Sequence, residues 1–148
     1  MTEVSFHFNV PDKLRHACLL LRKAHQSGQA MGVVGPAAEL QALDAALWAV
    51  SALDFVPHCT AQAPAQVLAR TSIVLAPDCG AIEHSHMLLQ LGEEVPEGFE
   101  RFERLIEIVG LEEADRQHAR RRWRYYADRG YAMKRWDAAT AGRARNRP

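Results

Sequence analysis

Two periods of apolar residues take turns along this chain, and their succession predicts strands interleaved with helices. Val4, Phe6 and Phe8 alternate with polar neighbours, which is the two-residue period of a strand. Pro11 and Asp12 then open a helix, proline suiting the first position and the acid suiting the positive end. Leu14, Cys18, Leu21 and His25 are spaced for one helical face, and Gly28 is a natural stop. Residues 30–34 read as a short apolar strand. Pro36 opens a second helix with Leu40, Leu43 and Leu47 on one face. Residues 51–57 read as a turn and a short extended piece, and residues 61–69 show no clear period. Residues 72–76 and 86–91 read as buried strands.

Phe99, Phe102, Ile106 and Val109 predict a helical stripe that stops at Gly110. Residues 111–129 form the last long helix. Its first turns carry Glu112, Glu113 and Asp115 and its later turns carry arginines, a polarity that favours the helix macrodipole at both ends. Gly130 ends it, and residues 131–136 add a final strand or docked segment. Alternating strands and helices imply an α/β fold: one three-layer domain with a largely parallel central sheet flanked by helices. It spans residues 1–136, and residues 137–148 form a basic, flexible tail.

Composition supports a globular domain. The chain has 148 residues, of which 48% are hydrophobic, enough for a core of useful size. The N-terminus has no signal pattern, and no apolar run approaches the roughly 18 residues of a membrane helix. Cys18, Cys59 and Cys79 are an odd count without CxxC spacing and read as free thiols in a reducing cytosol, with Cys18 a small core residue on its apolar helix face.

Charge changes the picture more. From Arg116 onward the chain holds eleven of its eighteen Lys/Arg and only two of its eighteen Asp/Glu, so this part carries +9 and the rest −9. A net charge of zero hides a strong asymmetry. A basic C-terminal element on an acidic body should meet an acidic partner, either nucleic acid or an acidic peptide.

Catalytic chemistry is hard to find. Phosphate binding at the first βα turns needs glycines that let backbone N–H groups approach the anion. The first turn, residues 8–12, has none, and residues 32–36 contain Gly32 and Gly35 but neither a GxGxxG nor a Lys-Ser/Thr pair. The fold is thus read as Rossmann-like without a nucleotide site, and no cofactor is expected. Cys79, His84 and His86, with His58 and Cys59, could be drawn as a metal site, but the spacing matches no standard zinc pattern. A solvated surface pair is the simpler account of His84 and His86. No GxSxG and no paired carboxylates stand out, so the chain is not read as an enzyme.

The basic helix is the feature that asks for a partner. Arg116, Arg120 and Arg124 stand at i, i+4 and i+8, with Trp123 on the same side. Arg121 and Arg122 are read as pointing to the rim or solvent, and Tyr125 and Tyr126 to the core or rim. The plain alternative is a solvated face whose arginines pair with the acidic body. Trp123 favours recognition, since Arg and Trp are enriched at binding hot spots. An acidic peptide with an apolar anchor uses both parts of this face. Direct binding of single-stranded nucleic acid is the rival reading, with phosphates on Arg and bases on Trp.

Residues 43–48 (LDAALW) followed by residues 55–58 (FVPH), with the arginine-aromatic run of residues 116–136, resemble the chi subunit family of bacterial DNA polymerase III. The resemblance covers the chain in length and element order and is sharp in those two patches. It implies a non-catalytic accessory subunit of the clamp-loader assembly. Such a subunit bridges the replicase, through the psi subunit, to single-stranded-DNA-binding protein, whose flexible tail is acidic and ends in an apolar residue. Carried over by position, the tail site falls on Arg116, Arg120, Trp123 and Arg124, with Arg120 as the bidentate carboxylate anchor. The surface facing psi falls near Trp48 and Phe55. Trp123 and Arg124 stand where tyrosine and lysine are usual in the family. Residues 137–148 extend past the usual end, and residues 77–86 lack the expected basic side chains.

Overall fold

The computed structural model describes residues 1–49 and 56–145. Among them seven strands form one sheet: β1 (Glu3–Phe8), β2 (Met31–Val34), β3 (Cys59–Thr60), β4 (Ile73–Ala76), β5 (Met87–Gln90), β6 (Arg104–Ile108) and β7 (Ala132–Asp137). Their order is β3-β4-β2-β5-β6-β1-β7, and every pairing is parallel. The helices are α1 (Lys13–Gln26), α2 (Ala37–Ala49), α3 (Ala65–Arg70), α4 (Glu113–Asp128) and α5 (Ala138–Arg145). The expected three-layer α/β architecture is what forms. Residues 50–55, Phe55 among them, lie outside the described residues.

Parallel strands need crossovers, and these divide the layers. One core joins Ala17 and Leu21 of α1 and Leu43 and Leu47 of α2 to Val33, Leu75 and Leu89 of the sheet. The other joins Ala119 and Tyr126 of α4, with Phe99 and Phe102 of an irregular segment, to Val4, Phe6 and Leu105. Each fully buried large apolar side chain contributes about 1.5–3 kcal/mol, so these faces fix which way each helix turns. α1 starts where the sequence suggests: the Asp12 carboxylate accepts from the Arg15 N–H at 3.0 Å, a cap of about 1 kcal/mol. Its inward stripe is Ala17, Leu21 and Ala24, while Leu14 is exposed, so the expected stripe is rotated by part of a turn. Leu43 and Leu47 of α2 are buried as expected. Gly32 of β2 lets the backbone pass under Ile82, whose side chain lies 2.5 Å from where a Cβ would sit.

One expectation fails here. Phe99, Phe102, Ile106 and Val109 do not share a helix. A 3-10 turn over Phe99–Arg101 is followed by β6, which lies between β1 and β5. In β6 the apolar residues Leu105, Ile106 and Ile108 fall on both faces and the buried Glu107 takes an inward position, so the sequence carries no two-residue period to oppose the helical reading. Residues 61–69, which showed no period, hold most of the short helix α3. α5 falls in the stretch read from sequence as a tail, capped by Asp137, whose Oδ1 accepts from the Ala139 N–H at 2.9 Å.

The order creates a switch point. β1 leaves through α1 toward β2 on one side of the sheet, and its neighbour β6 leaves through α4 over β1 to β7 on the other. In open α/β sheets the crevice outside the carboxyl ends of two such strands is where ligands bind.

Candidate functional site

A cavity of about 330 Å³ opens at that crevice, between α4 and the ends of β1 and β7. Its floor is apolar: Phe6 and Phe8 from alternate positions of β1, Val109 just after β6, and Ala119 from α4. One wall is the α4 face that carries Arg116, Arg120, Trp123 and Arg124. The four residues singled out from spacing are thus brought together around one space. Trp123 is half-buried and meets Phe6 edge to face, with ring centroids 5.0 Å apart. Arg135 of β7, the register partner of Phe6, closes the opposite side.

The guanidinium groups are held differently. Arg120 pairs with Glu113 at 3.0 Å, both well exposed. Arg116 donates to Asn9 Oδ1 at 3.3 Å. The Arg135 guanidinium lies 5.1 Å from the centroid of the Trp123 ring. Arg124 is exposed and makes no ion pair among the described residues.

Asn9 has φ of 59°, in the left-handed region that asparagine tolerates better than most residues. This turns the end of β1 so that the amide side chain bridges Arg116 and Asp137, donating to Asp137 Oδ1 at 3.1 Å. That hydrogen bond holds the Asp137 carboxyl below the usual carboxylate range.

α4 itself is anchored from below. Arg122, expected at the rim or in solvent, is 3% exposed. Its Nε donates to Glu107 Oε1 at 3.0 Å, its Nη1 donates to the Glu93 carbonyl at 2.9 Å, and Tyr126 donates to Glu107 Oε2 at 2.7 Å. The cause is Glu107, which β6 aims at α4 from the middle of the sheet. A buried carboxylate needs a charged partner, and Arg122 lies on the inward stripe with Ala119 and Tyr126. Burial pushes the Glu107 carboxyl up to about 7, against the pull of Arg122 and the Tyr126 hydroxyl. Asp115 closes the first turn of the helix. Burial would raise its carboxyl, but the Gly110 N–H at 2.6 Å and Lys13 at 3.1 Å hold it low.

The other candidates separate from this site. Trp48 is 63% exposed at the end of α2, so it is not a core residue. It lies against His58, whose ring is engaged by Asp44 at 2.7 Å and by the Val56 carbonyl at 2.8 Å. His84 Nδ1 accepts from the His86 N–H, and burial pushes the Cys79 thiol up to about 11. Among the described residues no three metal-ligating side chains gather. The three cysteines are free thiols, Cys18 half-buried and Cys59 and Cys79 buried. No helix among the described residues is long and apolar enough to cross a membrane.

Sequence reasoning missed Arg135, Asn9, and the Glu107–Arg122 pair. Phe6 and Phe8 were legible as one strand face, yet nothing in their spacing says that this face lies beneath α4.

The sequence matches the family model of the DNA polymerase III chi subunit over residues 1–134. It is 32% identical over 139 residues to the DNA polymerase III subunit chi of Pseudomonas aeruginosa, an alignment that covers 90% of this chain and 94% of that protein. With both comparisons running over nearly the full chain, this protein belongs to the chi subunit family of DNA polymerase III.

Proposed function

We propose that this chain serves the replicase as a non-catalytic accessory subunit, coupling the clamp loader, through psi, to the acidic C-terminal tail of single-stranded-DNA-binding protein. The observation that carries this reading is the cavity that sets four arginines around an apolar floor. Each exposed Arg–carboxylate contact contributes only about 0.2–1 kcal/mol, so the arginines alone fall well short of the roughly −8 kcal/mol of micromolar binding. Burying one large apolar side chain on Phe6, Phe8 and Trp123 adds about 1.5–3 kcal/mol. An acidic segment with an apolar end uses both.

In this reading Arg120 exchanges Glu113 for a carboxylate of the tail. Arg116 and Arg124 hold further acidic groups, and Trp123 packs on the apolar residue. Direct stacking of nucleobases is less well served. The Trp123 ring is met by Phe6 at its edge and by Arg135, and no row of open aromatic faces lines the cavity. The psi-facing surface includes Trp48 and Phe55.

The test is capture of single-stranded-DNA-binding protein, intact or lacking its last ten or so residues, by the immobilised chain. Capture of the intact form alone is expected. Equal capture of both forms, or of neither, would contradict the reading.

A further inference from the structure

We infer that the outer edge of β7 receives a run of consecutive acidic residues as an added parallel strand, extending the bound peptide beyond the cavity. This rests on the function proposed above and gives the same partner a second surface, for the acidic stretch that precedes its apolar end.

Among the described residues the sheet ends in β3 and β7, and the two edges are not equivalent. β3 has two residues, too few to template a partner, while β7 has six in unbroken register with β1. β7 holds no proline, and its continuous pairing leaves no bulge. A strand bonded on one side only presents a row of N–H and C=O groups on the other. Among the described residues the backbone of residues 132–135 makes no hydrogen bond outside the sheet. An added strand supplies those groups with partners, as when extended peptides dock on sheet edges.

Charge decides the occupant. Lys134 and Arg135 are consecutive and exposed, so they stand on opposite faces of the sheet. Arg135 borders the cavity, and Lys134 lies 3.3 Å from Glu3 on the other face. A second copy of β7 is a poor partner. Antiparallel self-pairing about the middle of the strand sets Lys134 of each copy opposite Arg135 of the other, and like charges opposite one another destabilise a sheet. A strand of consecutive acids has the reverse fit. Its side chains alternate between the faces, so one meets Arg135 and the next meets Lys134. Lys134 can turn to it without stranding Glu3, because Glu3 keeps Arg104, also at 3.3 Å.

The cavity fixes the direction. It lies at the carboxyl ends of β1 and β7. A peptide whose apolar end fills it and whose preceding residues follow β7 runs parallel to that strand, as every pair in this sheet does.

The experiment titrates four peptides into the wild type. One is an acidic peptide of about ten residues ending in phenylalanine, and one is its last four residues alone. The other two are the long peptide N-methylated at alternate upstream positions, in one series the odd and in the other the even. Methylation keeps every charge and removes only main-chain donors. The long peptide is expected to bind about tenfold more tightly than its end, the scale of a few exposed charge pairs and main-chain hydrogen bonds. One methylated series should lose that gain and the other keep it, because N–H groups of alternate residues face β7 and solvent. Amide exchange of residues 132–136 should slow in the complex.

Two methylated series that bind alike, or β7 amides that exchange as fast in the complex as in the free protein, would overturn strand addition while leaving tail binding in place. Failure of the wild type to bind even the unmodified long peptide would instead bring down the proposed function, and this inference with it.

Discussion

The Arg122 guanidinium meets the Glu107 carboxylate 3.0 Å away beneath the α4 wall of the cavity, with both side chains essentially buried. Removing one partner of such a pair strands a charge in the core. Arg122→Ala should therefore cost about 3–5 kcal/mol, and replacing both residues by leucine or methionine should cost less than either single truncation. Urea unfolding of the single and double variants measures this. A double variant as unstable as the sum of the singles would contradict the pairing.

Asn9 joins the cavity to the cap of α5 from a left-handed backbone. Asn9→Ala loses both side-chain hydrogen bonds and adds the cost of φ near 59° for a residue with a Cβ. Asn9→Gly loses the bonds without that strain. The alanine variant should be the less stable by about 1 kcal/mol, while both weaken peptide binding because Arg116 loses its support. Equal stability of the two variants would show that the backbone is not held in this conformation.

A histidine pair makes stability depend on pH. His7 Nδ1 lies 2.9 Å from His16 Nε2, and Trp136 stacks on His16. Burial first, then the nearness of His16 and Lys23, lowers His7 from 6.5 to about 4, and burial lowers His16 as well. Between those values the unfolded chain binds more protons than the folded one, so stability is lost as pH falls from 6.5 toward 4. Allowing for partial exposure of the ring, His7 accounts for about 1–2 kcal/mol of that loss. Glu107, raised by burial, acts in the opposite direction over the same range, so the wild type must be compared with His7→Gln. The variant should lose less stability than the wild type between pH 7 and pH 4.5. Identical losses would rule out a half-buried His7 held neutral.

Trp48 is exposed on a different part of the molecule from the cavity. Trp48→Ala should change stability by less than about 1 kcal/mol and leave peptide affinity intact, while association with psi weakens by tenfold or more, as for an aromatic hot spot. Loss of peptide binding in this variant would merge two surfaces that the reading keeps apart.

The fold was legible where one period dominated. β1, α1 and α2 follow from apolar spacing with Asp12 and Gly28 as boundaries, and α4 from its acidic start, its arginines and Gly130. β6 was misread because apolar residues on both of its faces leave no alternation to reveal it. The candidate site's helical wall was legible because Arg116, Arg120, Trp123 and Arg124 are neighbours on one helix, where spacing alone fixes the face. Arg135, Phe6 and Asn9 complete the cavity through sheet register. They become neighbours of α4 only when β7 pairs with β1, a contact between segments more than 120 residues apart. Arg122 was misjudged for a related reason: its partner Glu107 is on another element, and an arginine on an Arg-rich helix looks solvated until that partner is known.

The most direct test of the account is calorimetric titration with a short acidic peptide that ends in phenylalanine, beside the same peptide lacking that residue. Micromolar binding that requires the terminal phenylalanine is predicted, lost in Arg120→Ala and in Trp123→Ala while both variants remain folded. Equal, weak binding of the two peptides would contradict it, reducing the arginines of α4 to a general anion surface and giving direct binding of single-stranded nucleic acid the stronger claim.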